Sequence, residues 1–119
     1  MPNPTFESTY FSEKEFKCKC GCEEAPMDSI FVARLDNLRA TLGHPIIISS
    51  GYRCPTYNAH VSNTGLDGPH TTGHAADLKL AGTLALKVVQ LSGSMGFTGV
   101  GVMQRGGHIS RFIHLDDLL

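Results

Sequence analysis

Three residues could share one metal ion: His70, Asp77 and His114. Two imidazoles and one carboxylate suit zinc and leave a fourth position open, as catalytic sites do. His70 and Asp77 frame the run His70-Thr-Thr-Gly73-His74-Ala75-Ala76-Asp77. Gly73 allows a sharp turn between them, and the two alanines allow close approach. Asp77 interrupts an apolar strand, and a buried carboxylate is costly unless paired or bound to metal. His114 likewise interrupts the apolar stretch Phe112-Ile113-His114-Leu115. His74 competes with His70 by spacing alone. His44 and His60 read as solvated loop histidines.

Arginine chemistry would serve such a centre, and Arg53 is a candidate, with a plain surface arginine as the other reading. A guanidinium fork holds a carboxylate or a developing oxyanion bidentately. For proton transfer the candidate is His108, an imidazole just before the last strand, with a plain turn histidine as the other reading. Asp116 follows His114 by two residues, and its commoner role is to accept a hydrogen bond from a ligand.

These side chains need elements to position them. Residues 1–26 read as an irregular arm. Asp28 is a good N-cap, Phe31, Leu35, Leu38 and Leu42 recur at helical spacing, and Gly43 is a stop. Ile46–Ile48 reads as a buried strand. Residues 54–72 form a long polar loop that shapes the cleft. Residues 75–80 form a second strand, with Asp77 and Lys79 on one face and Ala76, Leu78 and Leu80 on the other. Thr83 caps a second helix ending near Gly93. Residues 98–103 form a third strand, and Arg105-Gly106-Gly107 signals a hairpin. The last strand, 109–115, carries Ser110, Phe112, His114 and, just past it, Asp116 on one face. The expected fold is a small single α+β domain over residues 1–119, with a mostly antiparallel sheet, two main helices and a zinc site on the sheet face.

The chain has 119 residues, 41% of them hydrophobic, which limits it to one domain with a modest core. A net charge of -1 with no basic stripe argues against nucleic acid. No apolar run could span a membrane, and the N-terminus lacks the apolar stretch of a signal peptide. Synthesis in the cytoplasm is expected, and so is a monomer. Cysteines stand at 18, 20, 22 and 54. The Cys-x-Cys-x-Cys spacing is not the usual zinc knuckle, and residues two apart make poor disulfide partners. A bridge from Cys20 or Cys22 to Cys54 and four reduced thiols are the two readings, with a structural metal ranked below both.

The segments Ser49-x-Gly51-Tyr52-Arg53, His70-x-x-Gly73-x-Ala75-x-Asp77, Gly99-Val100-Gly101 and Phe112-Ile113-His114-Leu115-Asp116 resemble the M15 peptidase family. The likeness runs from about Phe11 to Asp116. It is closest to short phage and bacterial members related to zinc D-Ala-D-Ala carboxypeptidases, a group that shares its zinc geometry with the hedgehog signalling domain. The resemblance implies His70, Asp77 and His114 as zinc ligands and Arg53 as the residue that binds substrate and steadies the oxyanion. It implies a peptidoglycan stem or cross-link peptide as substrate, and action on the bacterial cell wall through phage lysis or virion delivery. Two positions depart from the pattern. Gly68 stands where many relatives have serine. Arg111 stands where several branches have an acid as general base, and a guanidinium cannot take a proton. The alternative is a zinc-stabilised module that binds cell wall without turnover.

Overall fold

In the computed structural model, residues 6–118 are described. The chain is α+β, with three helices and a four-stranded sheet. Helix α1 spans Ser29–Leu42, and its caps follow from local chemistry. The Asp28 side chain accepts from the Phe31 N–H at 2.9 Å. Gly43 ends the helix in the left-handed conformation, with φ 68°. The stripe Phe31, Leu35 and Leu38 is fully buried.

Strand β1 is Ile48–Ser50, β2 is Ala75–Leu78, β3 is Gly99–Met103 and β4 is Phe112–Asp116. Their order across the sheet is β1-β2-β4-β3, and every pairing is antiparallel. Ile113 and Leu115 of β4 and Ala76 and Leu78 of β2 point into the core. The opposite face of β4 carries Phe112, His114 and Asp116. Helix α3, Gly82–Ser92, packs against α1 and β4.

Several boundaries differ from the sequence expectation. The first strand lies two residues later, with Ile47 exposed. Ala81, not Thr83, precedes helix α3, and it makes no side-chain cap. Residues 54–72 are not one loop. Pro55–Val61 forms helix α2, with Pro55 in the first turn, where its missing N–H has no role. Short 3-10 turns follow at Gly65–Asp67 and Pro69–Thr71. Another at His108–Ser110 delays β4, so Ser110 is not on that strand. The arm is partly ordered by a 3-10 turn at Glu13–Phe16, and it buries Phe11, Phe16 and Cys18.

Candidate metal centre and cleft

Strand register brings two of the key side chains together. Asp77 lies directly opposite His114 in the β2–β4 pair. Each interrupts an apolar alternation, so both project from the face that the core does not use. His70 arrives from the 3-10 turn Pro69–Thr71 and is buried. Candidate ligand atoms of His70, Asp77 and His114 all lie within 4.8 Å of one another. His70 Nε2 is 3.3 Å from Asp77 Oδ1, and His114 Nδ1 is 3.0 Å from the same oxygen. The two imidazole rings meet nearly edge to face, with centroids 5.2 Å apart.

Outer hydrogen bonds decide which nitrogens face inward. His70 Nδ1 lies 2.7 Å from the Gly51 carbonyl oxygen. A carbonyl only accepts, so Nδ1 donates to it and Nε2 is the nitrogen turned toward Asp77. His114 Nε2 donates to Asp116 Oδ2 at 2.8 Å, which turns Nδ1 to Asp77. Histidine ligands of metals characteristically give their second nitrogen to a carbonyl or carboxylate in this way. The donor set therefore fits a zinc ion: two oriented imidazole nitrogens and one carboxylate.

The electrostatics agree. Burial opposes ionisation of Asp77, but hydrogen bonds and charge from His114 and His70 outweigh it and hold the carboxyl at about 2. For His114, burial disfavours the imidazolium, yet the hydrogen bonds to Asp77 and Asp116 win and raise its pKa. Asp77, only 7% exposed, is ionised at any ordinary pH and ready to meet a cation.

Two glycines of β3 make room for this arrangement. Gly99 pairs with Asp116 and Gly101 with His114. A Cβ at residue 99 would collide with the Asp116 carboxylate. At residue 101 a Cβ would lie 3.1 Å from the His114 Cβ, tighter than usual. The Gly99-Val100-Gly101 segment thus has a steric reason that the sequence alone did not supply.

Arg53 enters the same cleft from the start of α2. Its Nη2 is 3.7 Å from Asp77 Oδ2, and Nη1 donates to Asn58 Oδ1 at 3.2 Å. Asn58 is 1% exposed, and its amide nitrogen donates to Thr64 Oγ1 at 2.8 Å and Gly65 O at 2.6 Å. The loop expected over residues 54–72 hides it. The signal was present: Pro55 opens a helical turn, and Asn58 follows Arg53 by five residues. Ser62, Thr64, Pro69 and Phe112 complete a cleft of about 240 Å³ around Arg53, His70, Asp77 and His114. The Gly68 departure also acquires a reason. A Cβ there would run into Thr64 and lie 2.7 Å from Asn58 Nδ2, so these two side chains fill the space.

The structure does not bring every expected residue to this cleft. His108 lines a separate groove with His44, Lys79 and Ile109. The proton-carrier role expected of it has no support from its position. Arg111 donates from Nε to Gly106 O at 3.0 Å and borders another groove with Val102, Gln104 and Ile113. His74 does not compete with His70; it pairs with Asp117 at 2.8 Å. Asp116 is present, tied to His114.

The family model described as Peptidase M15 matches residues 9–116. No curated protein and no solved structure matches the chain.

Proposed function

This chain belongs to the peptidase M15 family, and on that footing we propose that it is a zinc-dependent peptidase that hydrolyses peptidoglycan stem or cross-link peptides. The carrying observation is the convergence of His70, Asp77 and His114 beside Arg53. His70 Nε2, an Asp77 carboxylate oxygen and His114 Nδ1 would hold the ion. When bound, zinc would supply Lewis acidity, polarising a scissile carbonyl and acidifying water.

The chain's own residues do the rest. Arg53 presents a guanidinium in a partly buried cleft, where it binds a terminal carboxylate of the peptide or steadies the developing oxyanion. Asn58 holds Nη1 and so aims the fork. Asp116 keeps the proton on His114 Nε2 and is a positioning residue. Phe112 and Pro69 give the cleft apolar walls. The site of action is the bacterial cell wall, reached by phage lysis or virion delivery. No described helix is long and apolar enough to cross a membrane.

One observation favours a second reading, a zinc-stabilised module that binds cell wall without turnover. Once Asp77 is a ligand, the described cleft lining offers no further carboxylate, and Arg111 faces elsewhere. The test is digestion of purified muropeptides by the zinc-loaded chain, with products read by mass spectrometry. Hydrolysis that disappears in His114→Ala supports the peptidase. Binding to cell walls with full metal content and no new products would replace it with the module.

A further inference from the structure

The four cysteines form a second cluster that the cleft does not use. Cys18 is buried, Cys54 half-buried, and Cys20 and Cys22 exposed, and all four are free thiols. The Cys18 and Cys20 sulfurs are 3.4 Å apart, and those of Cys20 and Cys54 are 3.6 Å apart. All four sulfurs lie within 4.8 Å of one another. Four thiolates around a zinc ion at about 2.3 Å would be spaced about 3.8 Å edge to edge in a regular tetrahedron. The observed cluster is already near those dimensions.

Local backbone builds it. Gly21 takes φ 95°, a conformation in the left-handed region that glycine accepts freely, and the chain doubles back there. Cys18 N–H then bonds to Glu24 O at 2.8 Å, closing the loop that holds three of the sulfurs. The fourth, Cys54, comes from the N-terminus of α2, and its backbone N–H points at Cys18 Sγ at 3.3 Å. A backbone donor aimed at sulfur favours the thiolate, the form that binds metal.

We propose that Cys18, Cys20, Cys22 and Cys54 bind one zinc ion in a closed, structural site separate from the cleft. On binding, each S–H bond is exchanged for a Zn–S bond, and the protons, up to four, leave to solvent. With four protein ligands, no position stays open for water, so the site staples rather than catalyses. It joins the arm to α2 at the residue after Arg53. It adds folding free energy to a domain whose size limits its core.

The test uses the full chain, purified under reducing conditions with zinc or cobalt. Metal analysis should give two equivalents in the wild type, and one in both Asp77→Ala and Cys22→Ser. The cobalt form should show the sulfur-to-cobalt charge-transfer band in the near ultraviolet, retained in Asp77→Ala and lost in Cys22→Ser. Zinc should also protect the four thiols of the native wild type from alkylation, and a chelator should expose them. This last measurement needs no variant and stands if Cys22→Ser fails to fold. A wild type without the charge-transfer band, or with all four thiols alkylated in the presence of saturating zinc, would overturn the site. Neither result bears on hydrolysis in the cleft, because Asp77→Ala separates the two centres.

Discussion

Two clusters in this molecule have the same kind of composition and different chemistry. One is His70, Asp77 and His114; the other is Asp28, His74 and Asp117. In the second, every carboxylate is already engaged. Asp28 caps α1 through the Phe31 N–H. Asp117 accepts from Arg34 Nη1 at 2.6 Å and from the single His74 nitrogen that faces it. That nitrogen also lies 3.8 Å from Asp28. One imidazole nitrogen therefore serves two acids, as in a structural network. In the first cluster one carboxylate oxygen faces nitrogens of two histidines, and each histidine is anchored by its other nitrogen. The hydrogen bonds behind the donor atoms are what fit the first cluster, rather than the second, to hold a metal.

Removing Asp77 should have the largest effect on this contrast. In Asp77→Ala, metal at the cleft and hydrolysis should both fall by more than the roughly 10–100-fold cost of losing an outer partner, measured by metal analysis and kcat/KM. Retained activity would merge the two clusters into one class. Arg53→Ala should come next, lowering kcat/KM by about 10²–10³ while metal content stays. A loss of metal instead would make Arg53 a structural support.

Asp116→Asn should weaken metal affinity or activity by about 10–100-fold. Gly99→Ala should move the same way, because its Cβ displaces the Asp116 carboxylate. Zinc competition with a chromogenic chelator checks both. An unaffected Gly99→Ala would mean that β3 gives way without cost to the site.

Acidity probes the cluster in chelated protein. Asp77 sits at about 2 against an ordinary 3.8, so its folded pKa is depressed. Its contribution to stability is then present above pH 3.8 and is lost as pH falls through about 2. The gap corresponds to about 2 kcal/mol. His114 has the opposite sign: its raised pKa gives stability below its ordinary 6.5 that fades as pH climbs through the raised value. Urea midpoints of wild type and Asp77→Asn should converge at acid pH. Parallel curves would deny the carboxylate this role.

The smallest effect belongs to the structural cluster. Asp28→Ala should cost about 1 kcal/mol through the lost cap, with cleft metal content unchanged. Thermal unfolding and metal analysis together check it. Loss of cleft metal would couple the two clusters.

Helix α1 and the three candidate ligands were legible in the sequence because their signals are local. An N-cap, a stripe and a stop lie within sixteen residues, and a charge amid apolar residues stands out wherever it occurs. The α+β class followed from element order. The cleft wall was not legible. Helix α2 has seven residues with mixed polarity, and its buried Asn58 reads as a loop residue until Arg53 is placed beside it. The position of His108 was also hidden. A 3-10 turn of three residues delays the strand and sends that side chain to another groove. Tertiary geometry decided both, and spacing carries none of it.

Gly99 and Gly101 have a consequence for how this chain can vary. Acids and bases have near neighbours: aspartate can drift to asparagine, arginine to lysine. Glycine has none, since every replacement adds at least one carbon. At residue 99 that carbon falls on the Asp116 carboxylate whatever the rest of the side chain is. A position that carries no functional group can therefore be constrained by the site, and a mutational scan would register residue 99 as one where every replacement carries a cost.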